Sequence, residues 1–393
     1  MNLRHRPEKK HFLSIILSAL LFSVIALPAS ADTPLVNANT KMPAPVPVYF
    51  IYPPLPLLST TDEELASGRV VEGQYAMTTP ASKHWRIAFL FPHLKDPYWI
   101  GCDYGVISEA KRLGVAVDIF PADGYDDLVG QLLKMDDVIA AKYDAIVISP
   151  ISLNANNASI AKARAQGIPV LELANDSTSD DLTTKVTTSL KGMGNDATAW
   201  VIRDAQRRGM KAINIALLPG PRDAGWVKGE VAGTRETARA APIKVNIVDI
   251  KYGDSDRIGQ TQLTDQLLAE HGQNLDYIIG CTGCAPAAIL PIKQAGLSKK
   301  IRLVAYDLTR EIAGLIRKGE IVAAVDTRGV SQARVAINTA VDFLERRAKQ
   351  QPGIILIKLG LVDKGGYASY PFNASTAPDG FIPILSYVPG KAK

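Results

Sequence analysis

Histidine and cysteine are scarce: 5 and 3 residues in a chain of 393. With export of the N-terminus only His84, His93 and His271 remain, and none sits in a spaced pair that would bind metal. There is no G-x-S-x-G nucleophile elbow and no glycine-rich phosphate loop ending in Gly-Lys-Ser/Thr. Carboxylates are scattered, with no isolated acid/base pair. The chain therefore offers no catalytic constellation, and we expect no enzyme, no metal and no cofactor. Aromatic residues make up 7% of the chain, and no basic block is interleaved with them, so nucleic acid is not an expected partner. Beyond the N-terminus no apolar run is long enough to span a bilayer.

What is present begins at the N-terminus. Arg4, Arg6, Lys9 and Lys10 precede an apolar run over 12–27, and Pro28-Ala29-Ser30-Ala31 follows. That layout predicts a secretory signal peptide cleaved after Ala31. The apolar run is about 16 residues, short of the ~20 a spanning helix needs. Asp32, not cysteine, follows the cut, so no lipid anchor is implied. The formal charge of +5 falls toward neutral once this segment leaves. The expected location is the periplasm.

Residues 32–84 are rich in proline, with short β-like pieces at 46–52 and 70–77. They read as an extension packed on the main body. A regular rhythm starts at Arg86. Strands are predicted at 86–91, 115–120, 145–149 and 169–173, with helices at 97–113, 125–141 and 156–166. Gly114 and Gly167 stand where helix C-caps belong. The rhythm restarts with strands at 213–218, 244–250, 277–280, 302–306 and 321–325. Helices fall at 193–208, 223–240, 258–271, 285–295, 309–318 and 330–349, and a last strand at 354–361. Continuous apolar strands separated by helices imply parallel sheets covered on both faces. The fold class is α/β, with two doubly wound lobes. Ligands bind at the carboxyl ends of such strands, and a cleft between domains is the usual small-molecule site.

Several residues stand near those ends. Glu172, Asp223, Asp307 and Asp326 each suit either a ligand contact or a helix cap. Asp96-Pro97 forms an N-cap and N1 pair, which puts Tyr98 and Trp99 in the first helical turn. Two rings there can stack on a sugar or surround a methylated cation; core packing is the other reading. Gly192-Met-Gly194-Asn-Asp-Ala197 fits a dinucleotide fingerprint, but a turn opening a helix explains it more plainly. Cys281 and Cys284 are disulfide candidates in an oxidising compartment, with two free thiols as the alternative. Cys102 falls inside a predicted helix and reads as buried.

The stretches 90–112 (LFPHLKDPYWIGCDYGVISEAKR), 217–228 (LLPGPRDAGWVK) and 380–387 (GFIPILSY) resemble the TorT-like sensor proteins. These are a branch of the type I periplasmic-binding-protein family, which also holds ribose- and galactose-binding proteins and LuxP. The resemblance runs over about 85–388. It implies a clamshell with a three-strand hinge. The lobes would be 85–188 with 329–358, and 189–328 with 359–388, after a signal peptide at 1–31 and an extension at 32–84. It also implies a small ligand, trimethylamine N-oxide or another small polar or cationic molecule. The partner would be the periplasmic domain of a TorS-like sensor histidine kinase, or an ABC permease as in the sugar-binding relatives.

By resemblance, Tyr98 and Trp99 match an aromatic pair that cages a trimethylammonium group. Asn175 matches a polar position after the fourth strand, and Lys228 a position where sugar-binding relatives place a ligand-contacting arginine. Leu190 and Asp307 stand where the TorT-like branch has a tryptophan and a tyrosine. Each ring lost removes about 0.5–2 kcal/mol of cation–π stabilisation. Asp307 supplies instead a carboxylate for a cation or for hydroxyls. Asp96 and Asp326 complete the candidate ligand-binding set, and no catalytic residue is assigned. Ligand contacts to both lobes would shift the open–closed population. Replacing Trp99 with alanine is expected to weaken binding more than about tenfold while the fold stays intact; calorimetry with unchanged affinity would remove Trp99 from the site.

Overall fold

The computed structural model describes residues 42–53, 69–222, 224–348 and 350–390. The predicted signal peptide and Asp223 lie outside them. Among the described residues, no helix is long and apolar enough to cross a membrane.

Strands apolar on both faces need a cover on each side, and the helices between them supply it. The chain runs β1 (Val46–Tyr52), β2 (Arg69–Tyr75), β3 (Arg86–Phe91), α1 (Pro97–Leu113), β4 (Ala116–Pro121), α2 (Leu128–Ala140), β5 (Ala145–Ile148), α3 (Asn157–Ala165), β6 (Val170–Leu173) and β7 (Thr184–Thr188). It then builds the second lobe with α4 (Leu190–Arg207), β8 (Ala212–Gly220), α5 (Gly225–Arg239), β9 (Lys244–Tyr252), α6 (Arg257–His271), β10 (Tyr277–Gly280), α7 (Cys284–Ala287), α8 (Ile289–Gln294), β11 (Arg302–Ala305), α9 (Arg310–Lys318) and β12 (Ala323–Asp326). Last come α10 (Gly329–Leu344), β13 (Ile354–Ile357), β14 (Gly360–Asp363) and β15 (Ser386–Tyr387). The first sheet has the order β15-β4-β3-β5-β6-β7-β13-β1-β2, the second β14-β12-β11-β10-β8-β9.

Four features depart from the sequence expectation. The single strand expected over 354–361 is two. β13 pairs with β7 in the first sheet and β14 with β12 in the second, so the chain changes lobes between them. The helix expected over 285–295 is broken into α7 and α8; Pro291 has no N–H to carry one helix through that point. The tail, placed wholly in the second lobe from sequence, returns to the first. Tyr387 pairs with Val117, the Ile384 N–H donates to Asp103 at 2.8 Å, and the Phe381 ring meets Tyr104 at 5.2 Å. A short irregular strand carries too little periodicity to reveal its sheet. The extension is better integrated than expected: β1 adds to β13 and pairs with β2, both antiparallel.

Helix ends follow their residues. Asp96 caps α1, accepting from the N–H groups of Tyr98 and Trp99 at 2.8 and 3.1 Å. Gly114 closes it with φ 72°, in the left-handed region that glycine enters without cost. The dinucleotide-like glycines have another use. A Cβ on Gly194 would lie 2.0 Å from the Glu230 carbonyl oxygen, and one on Gly233 2.0 Å from that of Lys191. They let α4 and α5 pack backbone to backbone. Replacing Gly194 with alanine should therefore destabilise the protein by about 1–3 kcal/mol through overpacking. Urea denaturation measures this as a lower midpoint at unchanged slope.

Candidate functional site

Both sheets end their parallel strands at the same crevice, and the loops after them supply the walls. A cavity of about 60 Å³ lies there, room for a few water-sized groups. From the first lobe come Asp96, Tyr98 and Trp99 after β3, Tyr125 after β4, and Asn175 after β6. From the second come Leu190 on α4, Trp226 and Glu230 on α5, and Asp307 after β11. The lobes touch. The Tyr125 and Trp226 rings lie 6.1 Å apart, edge to face. A Cβ on Gly225 would come within 2.8 Å of the Asp176 carbonyl oxygen. Ala174, at the cavity wall, has φ 66°, a strained value for a residue with a Cβ. Its carbonyl accepts from the Thr187 hydroxyl at 2.8 Å and its N–H donates to Val186 at 2.9 Å, which holds it there.

Three carboxylates, Asp96, Glu230 and Asp307, line the cavity. Asp307 accepts from the N–H groups of Leu308 and Thr327 at 2.7 and 2.9 Å and from the Thr327 hydroxyl at 2.7 Å. Burial, and next the charge of Asp326, still push its pKa up to about 7. Glu230 is 1% exposed, and its Oε2 has no hydrogen-bond partner among the described residues. Burial, then Asp307, hold its carboxyl well above the usual range. Burial also raises Asp96, against the pull of His93 and its two backbone donors. Among the described residues, no lysine or arginine lines the cavity. Buried charge without a counter-charge costs several kcal/mol. The site thus favours either a proton or a cationic guest.

Six of the eight sequence candidates meet here: Asp96, Tyr98, Trp99, Asn175, Leu190 and Asp307. Two do not. Lys228 opens onto a separate groove with Arg222 and Arg235. Trp226 and Glu230 are four apart and share a helix face, whereas Lys228 lies about 200° round from each. Asp326 is occupied elsewhere, accepting from the Tyr370 and Ser375 hydroxyls at 2.6 and 2.5 Å and from the Arg328 N–H at 2.7 Å. It pins the tail to the lobe crossing. Glu172 is likewise structural, since it faces Lys185 at 3.5 Å. Sequence reading missed Tyr125, Trp226 and Glu230. Trp226 and Glu230 had a signal in their i, i+4 spacing on a predicted helix. Tyr125 had none, because only the loop's path brings it in.

Trp99 serves two purposes. It lines the cavity, yet it is 2% exposed and packs on Phe91 at 5.2 Å and Tyr98 at 5.0 Å. Truncating a buried tryptophan costs about 3–5 kcal/mol, so the expected intact fold of Trp99→Ala is withdrawn. Cys281 and Cys284 form a disulfide, with Cα atoms 4.7 Å apart, and Cys281 reaches the cavity. Cys102 is free and buried. On the surface Asp249, Glu270 and His271 converge, but Lys251 already bridges both carboxylates at 3.0 and 2.8 Å.

Two mixed α/β lobes with parallel sheets, crossed by several strands and closed over a small cavity, define a solute-binding clamshell. The periplasmic binding protein domain model matches residues 87–349, and the chain belongs to that family. It is 27% identical over 310 residues to the periplasmic protein TorT of Escherichia coli K12, covering 78% of this chain and 86% of that one. An ABC transporter solute-binding protein from Bradyrhizobium sp. BTAi1, solved with bound BIS-TRIS, is 31% identical. Its TM-score is 0.72, over 87% of this chain and 98% of that one. The complex of the TorS sensor domain with TorT, without ligand, matches in fold with TM-score 0.67 and 24% identity, over 77% of this chain and 99% of that one. The D-allose-binding periplasmic protein of E. coli K12 is 24% identical, over 68% of this chain and 86% of that one.

The raised pKa of Asp307 fixes the sign of a pH effect. Between its unfolded value of 3.8 and its folded value of about 7, the native state binds the extra proton. Stability therefore falls as pH rises through that window, by up to a few kcal/mol. Asp307→Asn should flatten this part of the slope, leaving shares from Glu172, Glu230, Asp96 and Asp326, whose carboxyls burial also raises. Melting temperatures from pH 4.5 to 7.5 test it; parallel slopes in both proteins would refute the assignment.

Proposed function

We propose that the chain is a periplasmic receptor for a small cation, exported by cleavage after Ala31. It closes its lobes on the ligand and reports that state to the periplasmic domain of a TorS-like sensor histidine kinase. The observation that carries the ligand class is the lining itself: Asp96, Glu230 and Asp307 with no basic residue among them. Tyr98, Trp99, Tyr125 and Trp226 add ring faces and edges around the same space, and such walls attract a cation. The BIS-TRIS bound by the Bradyrhizobium protein is itself an amine, which supports the same class. Trimethylamine N-oxide fits the rings, but its negative oxygen gains nothing from three carboxylates. A net positive amine suits them better.

Kinase relay is supported by the likeness to TorT over most of both chains. Delivery to an ABC permease is the second reading, favoured by the higher identity to a transporter's solute-binding protein. Titration calorimetry against small amines and against ribose and allose tests the ligand class. Cation affinity should rise several-fold from pH 6 to 8, as Asp307 loses its proton near 7. Binding confined to sugars, with no pH dependence, would sink this reading. For the partner, a purified kinase ectodomain should retain the protein on a column, with ligand changing the amount held. No retention in either state would leave the permease.

A further inference from the structure

We infer that the cavity selects a protonated amino alcohol: a cation bearing an N–H and, beside it, a hydroxyl. This rests on the reading of the cavity as a cation site and narrows it. The argument comes from hydrogen bonds that the protein itself leaves unmade.

Buried polar atoms almost always find partners. On two side chains that line this cavity one oxygen does not, among the described residues: Glu230 Oε2 and Gln332 Oε1. Both side chains are buried, Glu230 at 1% and Gln332 at 0% exposure. Neither is an assignment accident. A cationic guest beside Glu230 favours its ionised, acceptor-only form against the burial that raises its pKa. The Gln332 amide is oriented by its Nε2, which donates to the Thr327 carbonyl at 2.8 Å; that carbonyl cannot donate back, so Oε1 must be the open atom. Asp307, by contrast, already accepts on both oxygens. The guest must therefore bring two donors, one for a carboxylate and one for a neutral amide oxygen.

That pair of demands sorts ligand classes. A quaternary ammonium satisfies the rings but has no N–H, so Glu230 Oε2 stays unpaired. A neutral polyol brings donors but no charge to set against the carboxylates. A protonated amine with a neighbouring hydroxyl brings both: its N–H donates to Glu230, its O–H to Gln332. The cavity of about 60 Å³ has room for several water-sized groups, which suits a small guest.

Titration calorimetry of the full mature chain at pH 8 in amine-free buffer, where Asp307 is ionised, tests the assignment. The probes are N,N-dimethylethanolamine, choline and 3,3-dimethyl-1-butanol. The first has N–H, charge and hydroxyl; choline lacks only the N–H; the alcohol lacks the charge. N,N-dimethylethanolamine should bind at least about tenfold more tightly than choline, the cost of leaving a buried acceptor unpaired. Choline has one methyl more, so steric exclusion needs a control. Glu230→Met, which keeps the length but has no oxygen acceptor, should reduce the difference to within about threefold, whereas exclusion by size would survive it. The wild-type comparison stands if that variant does not fold. Choline binding as tightly as the amine overturns the N–H requirement and leaves the cation reading intact. Equal binding of the uncharged alcohol overturns both. No binding by any probe overturns the amino-alcohol assignment, leaving the cation reading to the wider panel of amines.

Discussion

Exclusion of water from the cleft is the constraint on which the rest depends. Three carboxylates in an open, hydrated crevice would be ordinary. Once Tyr125 meets Trp226 and Gly225 meets the Asp176 backbone, the same groups lose their solvent. Each then needs a hydrogen-bond donor, a proton or a positive guest. Asp96 finds donors in the N–H groups of the helix it caps, and Asp307 in the Thr327 backbone and hydroxyl. Glu230 finds none. Closing without a guest buries its Oε2 unpaired, a cost that a donor from a ligand would offset.

The scaffold places that residue through backbone contact. Glycines at 194 and 233 bring α4 and α5 together closely enough that neither would accept a Cβ without moving. Leu190 and Glu230, on those two helices, therefore reach the cavity from a stiff pair and not from loops. The chain crosses between lobes after β7, after β12 and between β13 and β14, and the tail crosses back to reach β15. Asp326 joins one crossing to the tail through Tyr370 and Ser375. Arg310 in the second lobe holds the same tail by the Ala377 carbonyl, at 2.7 Å. A carboxylate that looks like a ligand contact from its strand-end position is thus a fastening of the hinge.

At the two positions where the resemblance implies cage rings, this chain has Leu190 and Asp307, and both line the cavity. With Glu230 and Trp226 beside them, the lining combines rings with acids and hydrogen-bond acceptors. Buried acceptors of this kind reject guests that lack matching donors.

Much was legible from residue order alone. Periodicity marked nearly every strand and helix of both lobes, because burial on two faces leaves an unbroken apolar run and helix caps leave their own residues. The Asp96-Pro97-Tyr98-Trp99 cluster predicted residues that do meet at the cavity, because the cap at a strand end faces the crevice. The tertiary structure decided what contact across lobes decides. It split 354–361 between two sheets, returned the tail to β4, sent Lys228 away from the cavity and brought Tyr125 into it. Local sequence encodes which face of an element is buried. It does not encode which distant element covers that face, nor whether a buried carboxylate there finds a donor.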